Sequence, residues 1–418
     1  MSKEELFNTL EKRGYIYQCT NLGKVKEILS SGVPQTFYLG IDPTADSLHI
    51  GHFFALMMFR YFQDAGHKGI LVIGGATALI GDPSARNDMR KILTKEQVNY
   101  NLNEVKELSK RFIKTTGENP AIILNNEDWL KETYVDFMRN VGIHFNVNKM
   151  LAADAYANRL KAGGLTFLEM GYMLMQAYDF VYLNKNYGCT MQIGGSDQWG
   201  NIVAGTTLNR KLNNLSESNE FEIGDIFGLT CPLLLTKEGK KMGKTETGTL
   251  WVARDKTTPY EFYQYFYNVL DNDVEMLLKL FTRVSLEEIE VLIKNDIIAA
   301  KKIMAYEITK LVHGEEEANK VLDAVSTLFG NSNNTENLPK IEINKSEITN
   351  GINICDLLVK IAFLPSKSEV RRMILQNALW INDDKITDID YCVTLDLFKQ
   401  DYVIIRKGKK TFIKVSLI

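Results

Sequence analysis

The sequence predicts an α/β protein in which a doubly wound parallel-sheet domain is followed by an α-helical domain and a small α+β domain. Three observations lead there. From Thr36 to Asn201, short β-branched or aromatic runs ending in glycine alternate with longer helical patterns, as parallel strands with crossover helices require. After about Leu250 the strand signals give way to successive helical patterns. The 418 residues also exceed one domain at about 150 residues each.

In order, TFYLGID (36–42) predicts the first strand and IGHFFALMMFRYFQDAG (50–66) a mostly buried helix. GILVIGGA (69–76), AIILNN (121–126) and CTMQIGG (189–195) repeat the strand pattern. Val98, Leu102, Val105, Leu108 and Phe112 recur at three- and four-residue steps, one apolar face of a helix. These elements place a first domain over 1–248. YEFYQYFYNVL, VEMLLKLF, LEEIEVLIK, DIIAAKKIMAYEITKLVHG and EEEANKVLDAVSTLF predict a helical domain over 249–330. The Asn-, Ser- and Thr-rich stretch that follows reads as a linker, 331–351. From 352 to 418 a helix pair, ICDLLVKIAF and SKSEVRRMILQNA, precedes strand-like runs ending in DYVIIRKGKKTFIKVSL.

Composition excludes several classes. Hydrophobic residues make up 45% and charged residues 24%, an ordinary globular balance that rules out whole-chain disorder, collagen and coiled coil. With 49 basic and 52 acidic side chains the net charge is −3, so a polyanion would have to be met by local patches. Cys19, Cys189, Cys231, Cys355 and Cys392 form no C-x-x-C pair and no metal-ligand spacing, which predicts free thiols in a reducing compartment and no metal site. The N-terminus lacks the apolar run of a signal peptide, and no stretch reaches the roughly 18 apolar residues of a membrane span. A soluble, cytoplasmic protein without membrane partners is expected.

Three clusters carry chemistry. Asp42, Pro43 and Thr44 precede His49-Ile50-Gly51-His52 at a strand-to-helix junction. Gly51 permits close approach, the helix start offers N–H groups and positive dipole, and two imidazoles one turn apart can reach a phosphate and a ribose. Capping and packing would account for two histidines there equally well. Ile193 to Asn201, IGGSDQWGN, again passes from strand to helix, with Asp197 and Gln198 placed to hold a ribose and a carbonyl; a plain glycine turn with Ser196 as cap is the bland alternative. Lys240-Lys241-Met242-Gly243-Lys244-Thr245 lies in a Gly- and Thr-rich loop. Its lysines are either a solvated run or a clamp for the charge on a departing pyrophosphate.

HIGH in the first βα unit, the glycine-rich turn before residue 201 and the lysine loop at 241–245, in that order, resemble the class I aminoacyl-tRNA synthetases. The sharper resemblance is to the bacterial-type tyrosyl-tRNA synthetases, through YxGxDPTADSLHIGH, GGATxLIGDPS, QAYDF, QIGGSDQWGN and K-x-G-K-T, across essentially the whole chain. It implies a Rossmann-like, HUP-type catalytic domain with a connective insertion at about 115–185, a helical anticodon-region domain and a ribosomal-protein-S-four-like (alpha-L) RNA-binding domain at 352–418.

The amino-acid pocket also follows from residue types. Tyr38, at the end of the first strand, and Asp179 can both hydrogen-bond a phenolic OH, and Tyr172, Gln176 and Asp179 fall on one helix face at i, i+4 and i+7. Polar groups arranged for a hydroxyl reject the analogue lacking it, an asymmetry for which tyrosine-selecting synthetases are the standing example. By resemblance, Asp82, Tyr172 and Gln176 would bind the substrate ammonium and Gln198 would face its carboxyl end. Gly40, Asp42, Gln192, Gly195 and Asp197 would line the aminoacyl and ribose region, and Thr44, His49, Gly51 and His52 would meet ATP. Lys241, Lys244 and Thr245, with Arg86 and Arg90, would hold pyrophosphate. Arg86 stands where many relatives have lysine, and Gly243 and Thr245 replace the serines of the usual lysine-loop signature.

The implied reaction charges tRNA-Tyr with L-tyrosine at the expense of ATP, with Mg²⁺ as the ATP counter-ion, no prosthetic group and a homodimer as the working form. In 352–418 eleven basic residues face eight acidic ones, so a local excess of +3 contrasts with the chain total. Lys367, Arg371 and Arg372 on one helix and Arg406, Lys407, Lys409 and Lys410 in the final hairpin are the expected RNA contacts. Two rivals remain. A tryptophanyl-tRNA synthetase or other HIGH-type nucleotidylyltransferase shares the ATP residues but not the Tyr38–Asp179 pair, and an RNA-binding or splicing factor would not need an intact HIGH and lysine loop.

Overall fold

The computed structural model describes residues 5–84, 92–215, 225–245, 248–329, 338, 340–382, 384–398, 401–408 and 411–418, without the side chains at 215, 244, 245, 326–329 and 411. Two compact units emerge, one of 1–257 with 269–304 and one of 258–268 with 305–418.

The first unit is built on a six-stranded sheet of β1 (Gln18–Cys19), β2 (Thr36–Ile41), β3 (Lys68–Ile73), β4 (Ile122–Asn125), β5 (Cys189–Gly195) and β6 (Phe227–Cys231). Their order is β1-β6-β5-β2-β3-β4. β2 to β6 run parallel, and only β1 is antiparallel to its neighbour. The chain therefore winds outward from β2 through β3 to β4, then returns to β5 and β6 on the other side. The strand order reverses between β2 and β5, where open α/β sheets form a crevice at the carboxyl ends of the strands. A hairpin of β7 (Lys244–Thr245) and β8 (Gly248–Thr249) follows the sheet in the same unit.

Strands covered on both faces read as continuous apolar runs. In β3 every residue from Gly69 to Ile73 is buried, and the helix Ile50–Asp64 buries Phe53, Phe54, Leu56, Met58, Phe59 and Phe62. These elements and β2, β4 and β5 lie within a few residues of the sequence expectation. β1 and β6 have no counterpart in it. β1 is two residues long, and β6 is a five-residue run, FGLTC, without periodicity.

The helical region is not the separate domain expected at 249–330. The helices Asp271–Phe281 and Leu286–Asn295 belong to the first unit, whereas Pro259–Tyr267, the stretch of Ile297–His313 from Ala305 onward, and Glu315–Phe329 belong to the second. Packing decides this. Phe281 stacks on Phe53 at 5.6 Å, and the buried Arg13 guanidinium donates to the carbonyls of Lys279 (3.0 Å), Thr282 (3.0 Å) and Val284 (2.7 Å). Helical periodicity shows that an apolar face exists but not which partner covers it.

The second unit also holds a five-stranded sheet. Its strands are β9 (Lys340–Ile343), β11 (Leu379–Ile381), β12 (Asp384–Lys385), β14 (Tyr402–Lys407) and β15 (Thr411–Leu417), in the order β12-β11-β14-β15-β9; β10 (Ile352–Asn353) and β13 (Cys392–Val393) pair separately. The helices Ile354–Lys360 and Lys367–Leu375 share one core with the face carrying Leu379, Ile381, Val403, Ile405, Ile413 and Val415. β9 corrects the expected linker at 331–351. It pairs in parallel with β15, Ile341 opposite Val415, and the alternation in KIEI turns its two isoleucines toward that core. Four residues of alternation are outweighed by the polar residues before them when the sequence is read alone.

β3 tolerates nothing larger than glycine at position 69, where a Cβ would stand 2.3 Å from Phe59 Cζ and 3.0 Å from Phe37 Cζ. Gly69→Ala is expected to destabilise the first unit by about 1–3 kcal/mol through overpacking, read as a lower urea midpoint at unchanged slope. An unmoved midpoint would mean that the rings yield at no cost.

Candidate active site

At the reversal between β2 and β5 lies a cavity of about 840 Å³. The carboxyl end of β2 supplies Tyr38, Gly40 and Asp42, followed by Thr44. The start of the helix Ile50–Asp64 supplies His49, Gly51 and His52, and Asp82 follows the short helix Thr77–Ile80. The long helix Phe167–Tyr187 presents Tyr172, Gln176 and Asp179 along one face. β5 and the turn after it add Gln192, Gly195, Asp197 and Gln198, and Lys241 comes from the lysine loop. Arg86 and Arg90 lie outside the described residues. Lys244 and Thr245 are described only through their backbone in β7.

The deep end of the cavity is polar and under-satisfied. Among the described residues, the Tyr38 hydroxyl and the Oε1 atoms of Gln176 and Gln192 are buried with no protein partner. Beside them Asp179, 4% exposed, accepts from Trp129 Nε1 at 2.7 Å and from Asn126 Nδ2 at 3.1 Å. Burial pushes the Asp179 carboxyl up to about 7, while the two hydrogen bonds pull it down and Asp42 adds a smaller upward push. The Tyr38 phenol is pushed well above its ordinary value by burial first and then by the charge of Asp179, so it remains a protonated donor. Orphaned buried polar atoms cost free energy unless a ligand pairs with them. A ligand group that both donates and accepts, as a phenolic hydroxyl does, suits Asp179 and Tyr38.

Comparisons with known proteins give the family. Residues 30–330 match the family model described as tRNA synthetases class I (W and Y), and 332–415 match the tyrosine–tRNA ligase SYY-like C-terminal domain. The tyrosine–tRNA ligase of Acetivibrio thermocellus is 48% identical over 417 residues, 99% of each chain. That of Clostridium tetani is 47% identical over 416 residues, also 99% of each. The chain belongs to the class I tyrosine–tRNA ligases. Among solved structures, a C-terminally truncated mitochondrial tyrosyl-tRNA synthetase of Aspergillus nidulans aligns with a TM-score of 0.68 at 29% identity, covering 78% of this chain and 94% of that one. A tryptophanyl-tRNA synthetase of Encephalitozoon cuniculi, at 13% identity and TM-score 0.55 over 76% of this chain and 89% of that one, shares the fold. The family model covers both specificities, while the full-length identity reported above is to tyrosine–tRNA ligases.

Around the middle of the ligase cavity, polar groups from distant segments hold one another. Asp42 accepts from the Tyr172 hydroxyl at 2.8 Å and from Thr77 Oγ1 at 2.7 Å, and Thr77 in turn accepts from Asn126 at 3.0 Å. The Asp42 carboxylate sits against Gly74, where a Cβ would fall 2.1 Å from its Oδ1. Asp82, 5% exposed, accepts from Gln198 Nε2 at 2.7 Å and from the Ser84 amide at 2.9 Å. Asn126, Trp129 and Thr77 are site residues that the sequence reading missed. Their only signal is position, Asn126 directly after β4 and Thr77 a few residues beyond β3, at the carboxyl ends where such a crevice forms.

The two histidines combine both readings of H-x-x-H. His49 is the N-cap, and its Nδ1 accepts from the Gly51 amide (3.1 Å) and the His52 amide (3.3 Å), while His52 Nδ1 accepts from the His49 amide (3.4 Å). Two N–H groups expected to await a ligand are thus taken by an imidazole. In return the rings stack at 3.7 Å, and acceptance at Nδ1 places the proton of each neutral ring on Nε2, a donor suited to an anion. Asp197 is pushed up by burial and by Asp82, with Lys241 opposing.

The lysine loop is stitched to the same helix start. Gly243 has φ +80°, and a Cβ there would stand 2.3 Å from Ile50 Cγ2. The Leu250 amide donates to the Gly243 carbonyl (2.7 Å) and the Ile50 amide to the Leu250 carbonyl (3.3 Å). Of the expected RNA contacts, Lys367 pairs with Asp356 and Arg372 with Glu369, while Arg371 and Lys407 are exposed and half-buried, and Arg406 lies over Trp380. Lys409 and Lys410 lie outside the described residues.

Tyrosine affinity is expected to rise with pH through about 7 and level off above it, because the ionised Asp179 is the better acceptor for a phenol. Asp179→Asn should weaken tyrosine binding by about tenfold or more and flatten that profile. Equilibrium dialysis from pH 5.5 to 8.5 reads both, and a flat parent profile would refute the role given to Asp179.

Proposed function

We propose that the ligase acts in two steps. The tyrosine carboxylate attacks the α-phosphorus of ATP, forming tyrosyl-adenylate and releasing pyrophosphate. A ribose hydroxyl at the tRNA-Tyr 3′ end then attacks the tyrosyl carbonyl and AMP leaves. The observation that carries the substrate assignment is the buried Tyr38 hydroxyl without a partner beside Asp179 at the closed end of the cavity. Asp82, Tyr172, Gln176 and Gln198 would orient the amino and carboxyl ends, and Gly40, Asp42, Gln192, Gly195 and Asp197 the aminoacyl and ribose region.

No protein nucleophile is needed. Catalysis comes from positioning and from charge met more strongly in the transition state than in the ground state. Thr44, the Nε2 donors of His49 and His52, and Lys241 face the phosphates, and by resemblance Lys244, Thr245, Arg86 and Arg90 complete the clamp. Mg²⁺ enters with ATP as its counter-ion. Lys367, Arg371, Arg372, Arg406, Lys407, Lys409 and Lys410 serve the tRNA.

A homodimer through the 115–185 insertion is supported by the exposed Tyr134, Val135, Ile143, Val147, Phe167 and Leu168, with Ile143 at 74% exposure. Among the described residues no helix is long and apolar enough to cross a membrane. The bacterial relatives and five free cysteines favour work in the cytoplasm.

ATP–pyrophosphate exchange should proceed with tyrosine and fail with tryptophan and phenylalanine. His49→Ala and Thr44→Ala combined should slow adenylate formation far more than they weaken tyrosine binding. Exchange with tryptophan, or equal losses in both quantities, would refute the assignment.

A further inference from the structure

The C-terminal sheet of β12-β11-β14-β15-β9 has one face in the core with the two helices. Strand alternation sends Trp380, Tyr402, Ile404, Arg406, Phe412 and Lys414 to the other face. Register then aligns Lys385, Trp380, Arg406 and Phe412 in one row across four strands, alternating cation and aromatic ring. The Arg406 guanidinium lies 3.9 Å from the Trp380 ring centroid, and Lys385 Nζ approaches from the opposite neighbouring strand at 5.8 Å. Lys414 Nζ stands 4.0 Å over the Tyr402 ring.

We infer that this sheet face is a stacking platform for an unpaired base of the tRNA, with Trp380 as the ring on which the base lies and Lys385, Arg406 and Lys414 meeting the flanking phosphates. The inference deepens the reading of the chain as a tRNA ligase and rests on it.

Charge complementarity selects RNA as the occupant. Lys340, Lys385, Arg406 and Lys414 share the face with Glu342, which is tied to Lys340 at 2.7 Å. The opposite layer is more neutralised, since Lys367 and Arg372 are each paired with a carboxylate. A planar cation on one side of the indole fixes its orientation at little cost in side-chain freedom, while Lys385 is exposed and joined to the backbone by a flexible stem. Among the described residues Arg406 Nε is buried without a hydrogen-bond partner. Aromatic rings beside cations on a sheet face are how proteins hold single-stranded RNA; here Trp380 is the part-exposed ring, whereas Phe412 is buried.

The test uses the full chain and a tRNA-Tyr transcript, with Kd read by filter binding at one salt concentration. Trp380→Ala should raise Kd about tenfold, the usual loss of a stacked base. Trp380→Phe should stay within about threefold, because it keeps a π face, and Trp380→Leu should behave like the alanine variant. A structural role for the indole predicts the reverse, with leucine tolerated as apolar filling. Parent-like Kd for both Trp380→Ala and Trp380→Leu would overturn the inference, as would a change in sedimentation of the free chain without a change in Kd, which marks a protein contact. ATP–pyrophosphate exchange by the parent separates the layers. If exchange with tyrosine is absent, the ligase reading fails; if it proceeds and the Trp380 variants bind tRNA normally, only the platform fails.

Discussion

A relay of hydrogen bonds joins four segments around the ligase cavity, and the rest of the site depends on it. It runs from Tyr172 to Asp42, from Asp42 through Thr77 to Asn126, and from Asn126 to Asp179, where Trp129 closes the far end. Its members come from the end of β2, the helix Thr77–Ile80, the turn Asn126–Trp129 and, twice, the helix Phe167–Tyr187, so the relay sets the distance between β2 and the long helix. Its two carboxylates have their oxygens occupied by protein donors. Removing one partner would strand a charge in a low-dielectric interior, which costs far more than an exposed pair contributes. Among the described residues the Tyr38 hydroxyl stands beside this network without a partner, so a frame held by protein donors borders a polar group open to a ligand.

The phosphate side is organised by backbone rather than by charge. His49 caps its own helix, His52 returns the bond, and the lysine loop leans on Ile50 through Gly243. A side chain at 243 would meet both a left-handed φ and the Ile50 methyl, so the glycine is a packing requirement here. Loop and helix are thereby linked through a close contact and two backbone hydrogen bonds, with Lys241 lining the cavity.

Much of the chemistry was legible along the chain because class I motifs are local. HIGH, GGSDQWGN and the lysine loop each sit within one strand-to-helix turn, where residue spacing already determines which side chains neighbour each other. Tyr172, Gln176 and Asp179 were legible for the same reason, through helical periodicity. Asn126, Trp129 and Thr77 were not, because their roles arise from parallel strands ending side by side, a relation between residues about 50 apart. The domain limits failed on the same ground. The helices at 271–281 and 286–295 look like their successors in sequence, yet Phe281 and Arg13 bind the region to the first unit. Lys340–Ile343 looks like the end of a polar linker until β15 lies beside it.

By itself, then, the sequence determined the α/β class, the family and many of the side chains that line the cavity, since all of these are written in short-range order and periodicity. Tertiary structure decided which polar groups would be satisfied by protein and which left for a ligand, where the helical region divides, and that Trp380, Arg406 and Lys385 form one row. Those outcomes depend on strand register and on the burial of groups distant in sequence, and neither is encoded in any single window of residues.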